Sequence, residues 1–289
     1  MFTPWAKFFS SPEERVLLER GIDLALAEDG PDLTAQAVFS ADTRLEARLR
    51  VKEDSLVVGL PVIGVIFRRL GTSFVWRPFV REGARAPAMT DVAAISAPAA
   101  ILLRAERVIL NYISRLSGIA NLTARYAREL EGTGVRLLDT RKTTPGLRLP
   151  EKYAVQAGGG MNHRKTLAEM LMLKDNHIDA TGSIARAVAL LRERYSPCPP
   201  IEVECRTLDH VREAVAAEVS RVMMDNMAPE LLGRAIALVP PHIETEVSGG
   251  VTLENIRRIA LTKPGPNFIS VGRLTHSAPA ADFSMTLMP

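Results

Sequence analysis

The chain has 289 residues, 47% of them hydrophobic and 24% charged, with a net charge of +3. That composition excludes a disordered or fibrous chain, and the length suffices for one large domain or two modest ones. Two cysteines, Cys198 and Cys205, provide neither a disulfide framework nor a zinc site.

The opening residues contain no continuous apolar stretch before their charges, so no signal peptide is expected. A helix is expected over 12–27. Residues 45–51 alternate strictly, with Leu45, Ala47, Leu49 and Val51 on one face and Glu46, Arg48 and Arg50 on the other, the period of a half-buried strand. The longest apolar run, 56–66, is broken by Gly59, Pro61 and Gly64, and it falls well short of the roughly 18 residues of a spanning helix. The segments 73–81 and 91–105 read as further strand pieces of an antiparallel sheet. From residue 106 to about 130 the period changes. Ile109, Ile113, Leu116, Ile119, Leu122 and Tyr126 recur every three or four residues, as on the buried stripe of a long helix.

Beyond that helix, short apolar runs lie at 135–138, 170–173, 201–203, 222–224, 243–247 and 268–271, with helical stretches such as 183–194 and 208–217 between them. This is βα repetition, which implies a parallel sheet. The runs end in Asp139-Thr-Arg141-Lys142, Lys174-Asp-Asn-His177, Glu204, Asp225-Asn226, Ser248-Gly249-Gly250 and Gly272-Arg273. Any one of these is ordinary turn chemistry. Six in succession favour an α/β barrel, whose sites are built from the loops after its strands.

Charge is concentrated at the same place. The chain has seven lysines, and four of them, Lys142, Lys152, Lys165 and Lys174, fall within 139–177. That window holds seven cations against four acids, a local excess equal to that of the whole chain. The reading is a pocket for a multiply anionic small molecule. Nucleic acid is disfavoured, because no basic helical stripe or aromatic platform accompanies the cations. Arg148 and Lys152 are read as a solvated helix face.

The motifs DTRKTTPGLRLPEKYAVQAGGGMNHR (139–164), LKDNHI (173–178), EVEC (202–205), MDNM (224–227), SGGVTLENI (248–256) and ISVGRLTHSAPAADFS (269–284) resemble the quinolinate phosphoribosyltransferase family of NAD biosynthesis. The resemblance runs from about residue 45 to the C-terminus and departs near residue 28, where the family's acidic loop is longer. It implies an α/β fold: an N-terminal α/β sandwich over 1–115, to which 275–289 returns, and an incomplete TIM-like α/β barrel over 116–274 carrying the site.

The resemblance also implies roles. Arg141, His163 and Arg164 would hold quinolinate, and Lys142 and Lys174 would line the same pocket. Glu204 and Asp225 would take the ribose hydroxyls of 5-phosphoribosyl diphosphate and the accompanying magnesium ion, while Ser248, Gly249, Gly250 and Gly272 would cradle its phosphate. Lys142, Lys174, Glu204 and Asp225 would be the catalytic set. Arg107 would reach the quinolinate of a partner subunit, giving a homodimer or hexamer of shared sites in the cytoplasm, with no nucleic-acid or membrane partner.

Other readings stand beside these. His163 could be a hydrogen-bonded structural histidine, and Glu204 and Asp225 could be members of structural salt bridges. Lys174 could be the amine of a Schiff-base lyase. The chain could also be an anion-sensing protein without turnover, or the molybdenum-transport-associated paralogue of the same fold. The Lys142-Thr-Thr-Pro-Gly146 motif argues against the paralogue.

Overall fold

The computed structural model describes residues 4–288, and their contacts divide into two compact units. The first comprises Met1–Ala124, Lys142–Gly159 and Arg273–Pro289, and the second Arg125–Arg141 and Gly160–Gly272.

In the first unit, the strand Arg44–Val51 pairs antiparallel with Thr90–Pro98 on one side and with Phe283–Leu287 on the other; Val75–Pro78 extends the sheet beyond Thr90–Pro98. The alternation read from sequence is present, with Ala47, Leu49 and Val51 fully buried. Helix Pro12–Asp29 begins where Ser11 Oγ accepts the Glu14 amide at 3.1 Å, with Pro12 in its first turn.

The expected strand over 91–105 is too long. It ends at Pro98, and Ala99–Glu129 is one helix of 31 residues. Proline fits the last position of a strand, and the run Ala-Ala-Ile-Leu-Leu-Arg after it is rich in strong helix formers. The expected division at 115/116 thus falls inside a continuous helix, and the first unit retains that helix as far as Ala124.

A second correction concerns Arg148–Ala157, expected to show a solvated face. Every residue from Leu149 to Val155 in this helix is buried; Glu151 and Lys152 have no exposed surface, and Arg148 is half-buried. A helix enclosed on all sides keeps charges only where they are paired. Arg115 supplies that pairing for Glu151, donating from Nε at 3.0 Å and Nη2 at 2.8 Å. Arg115 also donates to the carbonyls of Ala278, at 2.9 Å, and Thr275. One guanidinium therefore ties the long helix, the helix Arg148–Ala157 and the C-terminal segment together. Gly118, one turn on, lets that segment pass, since a Cβ there would come within 1.9 Å of the Pro279 carbonyl oxygen.

The second unit is a six-stranded, wholly parallel sheet. Its strands are Arg136–Leu138, Leu171–Leu173, Ile201–Cys205, Arg221–Asp225, Glu244–Ser248 and Phe268–Ser270, which match the six apolar runs. In spatial order the last five are successive neighbours, and the first lies beside the last. First beside last is the closing seam of a barrel, and the break falls between the first strand and the second. The free edge of Arg136–Leu138 is met by Met161, which exchanges backbone hydrogen bonds with Leu137 and Asp139.

Register assigns the faces. Val203, Val222 and Met224 are fully buried on one side, where helix Leu208–Ala216 packs against the strands. The other side carries Glu202, Glu204, Met223, Asp225, Glu246 and Ser248, alternate residues on three adjacent strands.

Candidate active site

The C-terminal ends of the parallel strands carry most of the polar residues singled out from sequence. Lys174 follows Leu171–Leu173 and pairs through Nζ with Glu204 Oε1, on the next strand. The lysine side chain is 42% exposed and the glutamate 14%. An amine paired with a carboxylate and open to water is not the desolvated amine that Schiff-base chemistry requires. Asp225 ends the following strand, half-buried, and Ser248 pairs with it in register on the strand beyond.

After Ser248 the chain turns through Gly249 at φ 89° and Gly250 at φ 63°. A side chain at Gly249 would collide with that of Asn226, the first atom lying 2.2 Å from a Cβ. The helix that follows this turn starts only at Ile256 and has five residues. The Asn255 side chain occupies the preceding turn, accepting from the Thr252 amide at 2.8 Å and donating to the Gly250 carbonyl at 2.9 Å. The glycine turn, rather than a helix end, is what this strand presents. Gly272 stands two residues after Phe268–Ser270.

Arg141 and Arg164 are both half-buried. Arg141 Nε is enclosed without a hydrogen-bond partner, and Arg164 Nη1 donates to the Met170 carbonyl at 2.8 Å. Burial, and then the charge of Arg141, pull the Arg164 guanidinium below its ordinary value; Glu202 and Glu204 oppose this. Two guanidiniums that repel each other beside an unpartnered donor make an anion site.

His163 is 7% exposed, with both ring nitrogens engaged: Nε2 lies 2.9 Å from Glu202 Oε2, and Nδ1 accepts the Arg164 amide at 2.7 Å. These two contacts fit the hydrogen-bonded histidine that stood beside the ligand reading. Lys142 and Arg107 belong to the first unit, where both are exposed. The Lys142 carbonyl accepts from Thr275 Oγ1 at 2.8 Å, and Arg107 lies on the helix Ala99–Glu129.

Three buried acids of the second unit were given no role from sequence: Asp139, Glu202 and Glu246. Asp139 accepts the His163 amide at 2.8 Å and the Asn162 side chain at 2.7 Å. Glu246 receives Arg221 Nη1 at 3.1 Å and lies 3.6 Å from His163 Nε2. The legible signal was the alternation in Ile-Glu-Val-Glu-Cys and Glu-Thr-Glu-Val-Ser, which sets two acids of each strand on one face.

Burial pushes Glu202 up to about 7, and burial with the charge of Glu202 pushes Glu246 up to about 8. In the first unit burial likewise raises Glu82 to about 7, although it accepts the Gly59 and Leu60 amides. For a carboxyl whose folded value is raised, the folded state holds the extra proton. Its contribution is complete below the unfolded value near 4.5 and is lost as pH rises through 7 to 8. Thermal unfolding should therefore show a melting temperature that falls between pH 6 and about pH 9, with a stability loss on the order of a few kcal/mol. A flat or rising profile would contradict these assignments.

His163, Glu202 and Glu246 offer ligand atoms within 4.8 Å of one another, with the imidazole on Glu202 Oε2 and Arg221 on Glu246 Oε2. Glu204 and Asp225 suit a hard cation better: two carboxylates on one face of adjacent strands, at the accessible end of the sheet. Among the described residues no helix is long and apolar enough to cross a membrane.

Comparison with known proteins gives a consistent result. The family model "Quinolinate phosphoribosyl transferase, N-terminal domain" matches residues 32–117, and that for the C-terminal domain matches 119–286. The Bacillus subtilis protein named probable nicotinate-nucleotide pyrophosphorylase [carboxylating] is 42% identical over 254 residues, covering 88% of this chain and 87% of that one. The Homo sapiens nicotinate-nucleotide pyrophosphorylase [carboxylating] is 37% identical over 277 residues, covering 94% and 92%. The solved structure of the nicotinate-nucleotide pyrophosphorylase from Francisella tularensis superposes with a TM-score of 0.86 at 33% identity, covering 94% of this chain and 96% of that one. The chain belongs to the quinolinate phosphoribosyltransferase family.

Proposed function

We propose that the chain is a pentosyltransferase of NAD biosynthesis that joins quinolinate to 5-phosphoribosyl diphosphate, with loss of carbon dioxide, and works in the cytoplasm. Family membership supports the reaction. The observation in the structure that carries it is the half-buried Arg141–Arg164 pair, with an unpartnered donor, at the rim of a parallel sheet. Planar guanidiniums suit the two adjacent carboxylates of quinolinate, and Lys174 adds mobile positive charge.

The phosphoribosyl half falls to the next strand ends. Glu204 and Asp225 take the ribose hydroxyls, and the turn Ser248-Gly249-Gly250 offers backbone N–H groups to phosphate, joined by Gly272. The same two carboxylates would hold magnesium, which when bound neutralises charge on the departing pyrophosphate. The pyridine nitrogen attacks the anomeric carbon as the bond to pyrophosphate breaks, through an oxocarbenium-like state. Ribosylation leaves the ring nitrogen cationic, and that charge stabilises the carbanion formed when the adjacent carboxylate departs as carbon dioxide; a proton from water then fills the vacated position. The residues act by fixed charge and position, and no nucleophilic side chain is required. The test is incubation with quinolinate, phosphoribosyl diphosphate and magnesium: nicotinate mononucleotide should form, and its absence would sink the assignment.

We infer also that Arg107 serves a partner subunit in a homodimer or a hexamer built from dimers. Inactive Arg107→Ala and Lys174→Ala chains, mixed and reassociated, should then regain activity. A mixed dimer collects both defects in one site and leaves the other intact. Random reassociation gives about half mixed dimers, so recovery is expected to approach about a quarter of wild type. No recovery after verified subunit exchange would return Arg107 to its own subunit or to a structural role.

A further inference from the structure

The buried carboxylates of Glu202 and Glu246 have no part in the steps above, yet they lie directly beneath the residues that perform them. Glu202 stands two positions before Glu204 on the same strand face. Its Oε2 is 2.9 Å from His163 Nε2. The opposite ring nitrogen, Nδ1, accepts the Arg164 amide at 2.7 Å. A neutral imidazole that accepts at Nδ1 carries its proton on Nε2, so His163 donates to Glu202. Glu246 stands behind the pair, 3.6 Å from Nε2 and held by Arg221. The main chain of His163 is fixed independently by Asp139.

We infer that Glu202 is a positioning residue for the carboxylate-binding half of the site: through the Nε2–H of His163 it selects the tautomer whose Nδ1 accepts the Arg164 amide, and so sets Arg164 beside Arg141. This rests on the reading of the Arg141–Arg164 pair as the quinolinate subsite. Without an acceptor at position 202, the Glu246 carboxylate stands 3.6 Å from Nε2, beyond a normal hydrogen bond, and Glu202 no longer fixes the proton there. The alternative tautomer then points an N–H at the Arg164 N–H, donor against donor. Arg164 must shift, and a shift on the order of an ångström at a binding residue is enough to cost about a hundredfold in efficiency.

The experiment compares Glu202→Met, which removes the acceptor, with Glu202→Gln, whose amide oxygen still accepts from Nε2–H. Steady-state kinetics on both substrates are measured with melting temperatures, together with nitrogen NMR of the histidine-labelled full chain to read the His163 tautomer. Glu202→Met is expected to raise the quinolinate KM about tenfold or more while the phosphoribosyl diphosphate KM stays within about twofold. Its His163 should pass from pure Nε2–H to a mixture. Glu202→Gln is expected to keep the wild-type tautomer and bring the quinolinate KM to within about threefold of wild type.

The inference is overturned if folded Glu202→Met keeps the wild-type tautomer, or if both variants damage both substrates equally and in step with melting temperature. Should Glu202→Met not fold, Glu202→Gln decides: a changed tautomer or a tenfold rise in quinolinate KM overturns the inference. Wild-type chain that makes no product from quinolinate would instead overturn the subsite reading, and the tautomer in the variants would still decide the link from Glu202 to His163.

Discussion

Nicotinic acid, which lacks one of the two carboxylates of quinolinate, is expected to be used at least about a thousandfold less efficiently than quinolinate. The reason lies in what the site holds when the second carboxylate is missing. Arg141 has an enclosed Nε without a partner, and Arg164 is already pulled below its ordinary value by burial and by the charge of Arg141. A single carboxylate leaves one of these cations unanswered in a partly dry place. Leaving a buried charged donor unpaired costs about 3 kcal/mol or more, and sites built on hydrogen bonds to a substrate group reject analogues lacking it by similar or larger factors. Competing the two substrates in one reaction gives the ratio of kcat/KM directly. Comparable use of both would mean that the arginine pair does not read the second carboxylate.

Arg115→Met is expected to destabilise the first unit by about 3–5 kcal/mol, the cost of breaking a buried ion pair from one side. Glu151 has no exposed surface, so its carboxylate would be left buried, with the Thr144 amide at 3.1 Å as its remaining hydrogen-bond partner among the described residues. The carbonyls of Thr275 and Ala278 would lose their donor at the same time. The double variant Arg115→Met/Glu151→Leu should recover most of the loss, because it removes the stranded charge as well. Denaturant titration of wild type, single and double variants checks both statements. A single-variant loss below about 1 kcal/mol would show the pair to be a solvent-screened contact.

Much of this architecture was legible in the residues themselves. Period-two alternation located Arg44–Val51, and the six apolar runs with polar ends located all six parallel strands. Those signals are local, which is why they survive without tertiary information. The start of the long helix was missed because 99–105 is apolar without periodicity, and a short apolar run does not distinguish strand from buried helix. Lys152 was misjudged for a different reason. Its burial depends on chain arriving from both directions around Arg148–Ala157, which no local pattern records. The places of Lys174, Glu204, Asp225 and Ser248 at strand ends were legible because a polar residue closes each apolar run. Glu202, Glu246 and Asp139 were not, since their significance lies in partners 39, 83 and 24 residues distant: Glu202 and Glu246 meet His163 through its ring, and Asp139 through its main chain.

The division of the rim into a dicarboxylate half and a phosphoribosyl half is most directly tested by calorimetric titration of quinolinate, and of phosphoribosyl diphosphate with magnesium, into wild type, Arg164→Ala and Asp225→Ala. The account predicts that Arg164→Ala weakens quinolinate and largely spares phosphoribosyl diphosphate, while Asp225→Ala does the reverse; the opposite pattern, or equal losses for both ligands in both variants, would contradict it.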